Sequence, residues 1–175
     1  MNTNDNRQNA HNEIDHIFKD LFPTRNMAER PEQVALCHRM LDAMLDDGIA
    51  LCDAGTGIGK TYAYLVAGTV YSRFRATSGL APKPILVSTS SIALQNAVLG
   101  EYLPLLSGLL LEDGMIAKPL QAVIRKGKSH YVCDARLEQR LGQLNLQNKN
   151  WKAGAALLSL RGQLDMSEAA HLSGY

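Results

Sequence analysis

The sequence predicts an α/β fold in which helices flank a parallel sheet. Its clearest sign is the apolar run Ile49 to Cys52, which leads into a glycine-rich turn and then into an apolar helical segment. A second strand–turn–helix step follows within residues 85–103. Alternation of short buried-type strands with helices is typical of parallel sheets. The 175 residues suffice for one compact domain and are few for two.

Composition narrows the class of protein further. Hydrophobic residues make up 46% of the chain and charged residues 20%, which indicates a packed core. The net charge of +1 excludes an overall basic surface as a sign of nucleic-acid binding. No apolar run approaches the ~20 residues of a membrane span, and the polar N-terminus is unlike a signal peptide, so we expect no membrane association and a cytoplasmic location. The three cysteines are far apart, which favours neither a disulfide framework nor a self-contained zinc site.

The first elements are predicted to be a tail and two helices. Residues 1–12 are polar and aperiodic, which predicts a disordered tail. Apolar residues at helical spacing within 14–21 predict a short helix that ends before Pro23. A second helix is predicted to begin at Pro31, which suits a first helical turn, and to end before Gly48.

The remaining elements alternate between strand and helix patterns. Apolar runs predict strands at 48–53, 85–88 and 120–124, because each is short and bounded by turn residues. Helical spacing predicts helices at 60–75, 92–103, 134–144 and 151–160, and the hydroxyls of 89–91 are suited to cap the second of these.

The glycine-rich turn, Ala54-Gly-Thr-Gly-Ile-Gly-Lys-Thr61, has the pattern of a phosphate-binding loop. Glycines let the backbone approach a ligand closely, and the N–H groups at the following helix start favour phosphate. The Lys60 ammonium can reach the β- and γ-phosphates of ATP, and the Thr61 hydroxyl can bind Mg²⁺, which makes these two residues the candidate catalytic pair. The candidate nucleotide-binding residues are Gly55, Thr56, Gly57, Ile58, Gly59, Lys60 and Thr61. Ala54 departs from the strict pattern, which has glycine there, and the alternative is an ordinary glycine-rich turn.

Arg30 and Gln33 stand at the start of the helix that leads into this strand and loop. One interpretation is that both are solvated residues of a helix start. The other is that the guanidinium plane stacks on adenine and the amide pairs with its edge. Their spacing alone leaves both interpretations open.

These motifs in this order resemble the N-terminal part of the DinG/XPD-like iron–sulfur DNA helicases of superfamily 2, the DinG branch above all. The resemblance covers roughly residues 25–175, and its most specific part is the run Arg125-Lys-Gly-Lys-Ser-His-Tyr-Val-Cys133. It implies a partial RecA-like ATP-binding domain at 13–128 and the start of a helical iron–sulfur domain at 129–175. It also implies that Arg30 and Gln33 read adenine, and that ATP hydrolysis drives 5′-to-3′ movement on single-stranded DNA.

The resemblance assigns further residues to DNA and to iron. Ser88, Thr89 and Ser90 would touch the backbone of the single strand, although a plain helix cap explains them equally. Arg125, Lys126 and Lys128 would hold DNA phosphates, or would form a solvated turn. Cys133 would be the first ligand of a [4Fe–4S] cluster, which needs four thiolates. No cysteine follows it, so only a longer protein would complete the cluster.

Hydrolysis in this class also needs an Asp-Glu-x-His motif, and the chain contains none. Ser167-Glu-Ala-Ala-His171 comes nearest, but it lacks the aspartate and follows no apolar strand. We therefore expect the opening part of a longer helicase, able to bind ATP and Mg²⁺ but inactive alone, with no protein partner indicated. A non-catalytic module that binds nucleotide or single-stranded DNA is the alternative. An unrelated P-loop kinase or ATPase would need an acidic strand end, which is missing.

Overall fold

The computed structural model describes residues 3–127, together with 133, 135, 136, 138, 139 and 142. The chain divides into two units, Met1–Ala122 and Val123–Tyr175, each of which is considered by itself. In the first unit the helices are α1 (Thr3–His16), α2 (Pro31–Leu45), α3 (Lys60–Thr77), α4 (Ile92–Ala97) and α5 (Leu103–Glu112). A π-helical turn (Ile17–Leu21) and a 3₁₀ turn (Phe22–Arg25) extend α1, and a second π-helical turn (Val98–Tyr102) joins α4 to α5.

The predicted α/β fold is wrong: the described residues are helical or irregular and contain no strand. This finding also removes the RecA-like sheet that the resemblance implied for 13–128. The three segments predicted as strands are irregular, and four of their large apolar side chains are almost fully exposed. These are Ile49 (93%), Leu51 (96%), Leu86 (92%) and Val123 (81%). A short apolar run shows only a preference for burial, whereas a strand exists only when a neighbour accepts its backbone hydrogen bonds.

Helices supply the core instead. α1, α2 and α3 pack against one another, and α5 adds leucines to the same cluster. The largest fully buried side chains are Phe18, Phe22, Ile14, Ile17, Leu41, Leu106, Leu110, Val66, Val70 and Cys37. Phe22 contacts both Phe18 and Tyr62 edge to face, with ring centroids 5.0 Å apart in each pair, and Tyr62 meets Tyr102 at 5.2 Å. This chain of aromatic contacts ties the end of α1 to the first turn of α3.

The N-terminal tail predicted to be disordered is also a correction, since α1 begins at Thr3. Side chains far along the sequence hold it in place. Arg73 of α3 donates two hydrogen bonds of 2.9 Å to Glu13, and Arg7 donates one of 2.7 Å to Asp46. Such contacts have no local signature, and among the described residues of this tail Ala10 is the one that enters the core. Polarity alone therefore misled the prediction.

His16, at the end of α1, links this helix to the end of α5. Its Nδ1 lies 2.8 Å from Asp20, and its Nε2 lies 3.2 Å from Asp113. The hydrogen bond with Asp20 raises the pKa of His16, burial opposes the rise, and Asp113 adds to it. His16 therefore binds its proton more tightly in the folded chain than in the unfolded chain.

We expect the His16 contribution to stability to be complete below the ordinary histidine pKa of about 6.5. It is then lost as the pH rises through the higher folded value, because the proton that favours the folded state dissociates. Urea unfolding at several pH values checks this. The stability difference between the parent and His16→Gln should shrink from acid to alkaline pH. A difference that stays constant, or that grows with pH, would contradict the assignment, and Asp113→Asn should weaken the dependence.

Candidate phosphate-binding loop

The glycine-rich segment forms a loop that enters α3 directly. Gly59 is the residue before the helix, with a φ of +89°, and Gly57 has a φ of +85°. These left-handed values suit glycine and strain other residues. Ala54, where the strict motif has glycine, has no positive φ, and its methyl group packs against the core. The departure from the motif therefore costs the loop no backbone strain.

The first turn of α2 holds this loop. Gln33 is buried, with 4% of its surface exposed, and its Nε2 donates a 2.6 Å hydrogen bond to the Gly59 carbonyl. Arg30, the residue before α2, donates a 2.6 Å hydrogen bond from Nη1 to the Gly57 carbonyl. A Cβ atom on Gly59 would lie 2.1 Å from Gln33 Nε2, so only glycine fits there. The structure thus brings together the two residues and the loop that the sequence singled out.

Lys60 is the first residue of α3 and turns back along the loop. Its Nζ donates hydrogen bonds of 2.8 Å to the Ala54 carbonyl and 2.7 Å to the Gly55 carbonyl. The side chain is exposed, so a ligand can compete for it. Thr61, half-buried, follows in the first helical turn.

Among the described residues, no side chain caps the start of α3. Gly59 offers no side-chain cap, and the first turn carries no acidic residue. The first N–H groups of a helix have no partner inside the helix and attract negative charge. With 18 residues, α3 is long enough for this effect to be developed.

The other two loop residues on the candidate site are Thr56, which is exposed, and Ile58, which is half-buried.

The predicted DNA-contacting residues lie before α4. Ser88 and Ser90 are exposed and Thr89 is half-buried. The actual cap is Ser91, whose hydroxyl accepts a 3.2 Å hydrogen bond from the Leu94 N–H. The capping interpretation is therefore confirmed at Ser91, which leaves the hydroxyls of the two exposed serines facing solvent.

The second unit contains the basic turn and the last cysteine. Arg125 is exposed and Lys126 is half-buried, while Lys128 lies outside the described residues. Cys133 is exposed. The residues of this chain do not fit a [4Fe–4S] cluster, because Cys37 is enclosed in the helical core of the first unit and three cysteines fall short of four. Burial raises the pKa of the Cys37 thiol far above its usual value, which keeps it protonated.

Neither a membrane helix nor a preformed metal cage is present among the residues that the structure describes. None of their helices is long and apolar enough to cross a bilayer. No three His, Cys, Asp or Glu side chains within this part of the chain converge to hold a metal ion.

Comparison with known proteins finds relatives in one group. The chain is 40% identical over 124 residues to "ATP-dependent DNA helicase YoaA" of Escherichia coli, which covers 70% of this chain and 15% of that protein. It is 33% identical over 113 residues to "3'-5' exonuclease DinG" of Bacillus subtilis, covering 65% of this chain and 11% of that protein. It is 34% identical over 86 residues to "ATP-dependent DNA helicase DinG" of Photobacterium profundum, covering 49% and 11%.

These relatives confirm the resemblance to the DinG branch. The chain spans between 11% and 16% of the length of the three proteins named and of the Haemophilus influenzae YoaA helicase. No protein-family model matches the chain. No solved structure matches it either.

Proposed function

From the homology of this chain to part of the DinG and YoaA proteins, we propose that it carries the ATP-binding loop of an ATP-dependent DNA helicase. The loop Gly55–Thr61 binds the phosphates of ATP together with Mg²⁺. Hydrolysis and strand separation belong to the longer proteins that these relatives represent, and no residue of this chain is assigned the hydrolytic step.

One observation supports the proposal above all others: an uncapped helix start that follows a loop with two left-handed glycines and is followed at once by Lys60. The first N–H groups of a helix have no partner inside the helix, and an anion of several oxygens satisfies several of them together. The names of the relatives divide between ATP-dependent helicases and 3'-5' exonucleases. A loop of this kind favours the ATP-dependent activity, because phosphodiester cleavage by an exonuclease does not require a bound nucleoside triphosphate.

Lys60 changes partners when ATP binds. Without ligand its ammonium is held by two neutral carbonyls at the start of the loop. Phosphate oxygens carry formal charge and accept stronger hydrogen bonds than neutral carbonyls, so the ammonium moves to the β- and γ-phosphates. The Thr61 hydroxyl is one residue further along the same turn, where it contributes an oxygen ligand to the magnesium ion that accompanies the nucleotide.

Arg30 and Gln33 connect the loop to the adenine base. Gln33 donates one hydrogen bond to the Gly59 carbonyl. A glutamine amide has a second N–H and an oxygen that suit pairing with the edge of adenine. One N–H of this amide would hold the loop, while the other N–H and the oxygen would pair with adenine. Recognition of the base would then be coupled to the shape of the phosphate site. The Arg30 guanidinium, exposed beside Gly57, offers a plane on which the base stacks.

Single-stranded DNA is the proposed second ligand. The exposed hydroxyls of Ser88 and Ser90 precede α4 and suit contacts with a phosphate backbone, which carry no base specificity. In the second unit, Arg125, Lys126 and Lys128 supply positive charge to the same kind of ligand. A non-catalytic module that binds single-stranded DNA through these groups is the alternative function, and strong salt dependence of DNA binding is expected in both cases.

Calorimetric titration of the 175-residue chain tests the ATP proposal. We expect Mg·ATP to bind and Mg·AMP to bind at least tenfold more weakly, since AMP lacks the two phosphates that Lys60 contacts. Equal affinity for the two nucleotides would show that the β- and γ-phosphates contribute nothing to binding, and absence of ATP binding would reject the proposal. A parallel titration with a single-stranded oligonucleotide at low and high salt examines the alternative function.

A further inference from the structure

Two histidine rings meet at the contact between α1 and α2. His11 Nδ1 lies 2.8 Å from His38 Nδ1. The ring planes are inclined by 24° and the centroids are 5.0 Å apart. Because the two nitrogens are much closer than the two centroids, the rings face each other edge to edge along a line between the nitrogens. This is a hydrogen-bond distance, and a bridging tetrahedral zinc ion would need about 3.3 Å between the nitrogens.

The outer nitrogen of each ring faces a carboxylate on the other helix. His11 Nε2, on α1, lies 3.0 Å from Asp42 Oδ1 of α2. His38 Nε2, on α2, lies 3.3 Å from Asp15 Oδ1 of α1. An ionised carboxylate only accepts hydrogen bonds, so each Nε2 carries a proton. The hydrogen bond between the two Nδ1 atoms requires one more proton, which one ring donates and the other accepts.

This arrangement fixes the number of protons. Two Nε2 protons and one shared Nδ1 proton make three on two rings, whereas two neutral imidazoles carry two in total. The pair therefore holds a single positive charge between two negative carboxylates. We propose that His11 and His38 share one proton and form a singly charged clamp that holds α1 to α2 over a limited range of pH.

Either change in proton number breaks the clamp. A fourth proton places two N–H groups against each other at 2.8 Å, which repels the rings. Loss of the third proton leaves either two lone pairs facing each other or a bare Nε2 facing a carboxylate. Only the three-proton state satisfies every contact, so the clamp contributes most at intermediate pH and less on both sides.

The charged groups around the pair keep their charge through this range. Arg7 of α1 lies 3.9 Å from Asp42, and Lys19, in the π-helical turn that follows α1, lies 3.1 Å from Asp15. Histidine is the side-chain type that ordinarily changes charge between pH 5 and 8, so the two rings are the groups that change. Burial alone would raise the pKa of Asp15, but hydrogen bonds from Lys19 and His38 outweigh it and hold this pKa below its usual value.

The other charged side chains near the two rings form ion pairs with residues outside the histidine pair. Arg7 also bonds Asp46, the residue that ends α2, at 2.7 Å. From α3, the group that reaches α1 is Arg73, which is bonded to Glu13 and not to either ring. Both histidine side chains are only partly shielded, with 23% and 25% of their surface exposed, so protons can enter and leave without unfolding of the helices.

Nitrogen NMR of ¹⁵N-labelled histidine in the 175-residue chain tests the proposal directly. We expect both Nε2 atoms to be protonated near neutral pH, and a scalar coupling across the hydrogen bond between the two Nδ1 atoms. His38→Ala should abolish the coupling and shift the titration midpoint of His11. His16→Gln is the matched control, because it removes another histidine of α1 that lies outside the pair. It should leave the scalar coupling and the titration midpoint of His11 unchanged. If His11 titrates identically with and without His38, the shared proton is excluded.

A stability measurement provides the second arm. In a double-mutant cycle of His11→Ala and His38→Ala, the coupling between the two substitutions should be largest at intermediate pH. It should fall and become unfavourable at acid pH, because a fourth proton sets two N–H groups against each other. A coupling that does not vary with pH would mean that the two rings interact only by packing. That result would overturn the proposal even if both variants fold.

Discussion

Replacement of Gly59 by alanine is expected to break the hydrogen bond between Gln33 and the glycine loop and to lower the free energy of unfolding by about 2–5 kcal/mol. Two causes add. A φ of +89° strains a residue with a Cβ atom by about 1–2 kcal/mol. The new methyl group would also lie 2.1 Å from Gln33 Nε2, so the buried amide must leave the Gly59 carbonyl, which costs about 1–3 kcal/mol. Urea unfolding measures the sum.

Gly57→Ala separates the two causes. Gly57 has nearly the same φ, +85°, but a Cβ atom there would meet nothing within 4 Å. This variant should therefore lose only the backbone strain, about 1–2 kcal/mol. The difference between the two variants measures the contact with Gln33. Equal destabilisation by both would contradict the arrangement in which α2 holds the loop through Gln33.

Lys60→Ala is expected to weaken the binding of Mg·ATP by about 100-fold, which corresponds to a loss of roughly 3 kcal/mol. On ATP binding the Lys60 ammonium exchanges two neutral carbonyls for charged phosphate oxygens. Removal of this ammonium therefore weakens the ATP complex more than it destabilises the ligand-free loop. Stability should change little, because the side chain is exposed. Titration of ATP into the variant measures the effect, and unfolding of the same variant confirms that the fold is retained.

Lys83→Ala is the matched control for this prediction. Lys83 is also an exposed lysine, and it makes a 3.5 Å surface ion pair with Asp47. Loss of one distant positive charge should change ATP affinity by less than about threefold, since exposed charges are screened by salt. If both lysine variants bind ATP equally, the contribution of Lys60 is general attraction between charges and not direct contact with phosphate.

The sequence predicted the helices that have strong local signals. α2 begins at Pro31, as its first-turn proline indicates, and ends before Gly48. α3 begins at Lys60, where the glycine loop ends. The two helix starts could be predicted because Pro31 and Gly59 act through their own backbone geometry. At the end of α2 the left-handed residue is Asp47, with a φ of +49°, and not Gly48. The strands failed for the opposite reason: pairing depends on a neighbour that an isolated apolar run does not reveal.

The sequence predicted which residues form the candidate site but not the contacts that join them. The glycine motif identified the loop. Arg30 and Gln33 were expected near it because they begin the helix that leads into it. What the sequence could not show is that Gln33 occupies the space beside Gly59, or that Lys60 folds back on Ala54 and Gly55. The paired rings of His11 and His38 were missed as well. Their separation of 27 residues carries no local pattern, and only the packing of α1 on α2 brings them together.

Backbone amide NMR of the chain with Mg·ATP and with Mg·AMP tests the central claim, that the loop between α2 and α3 receives the phosphates of ATP. We expect ATP to shift the amide signals of Gly55 to Thr61 far more than AMP does, because the β- and γ-phosphates are the groups that the loop N–H donors contact. Identical shifts with both nucleotides, or shifts confined to residues outside this loop, would contradict the account.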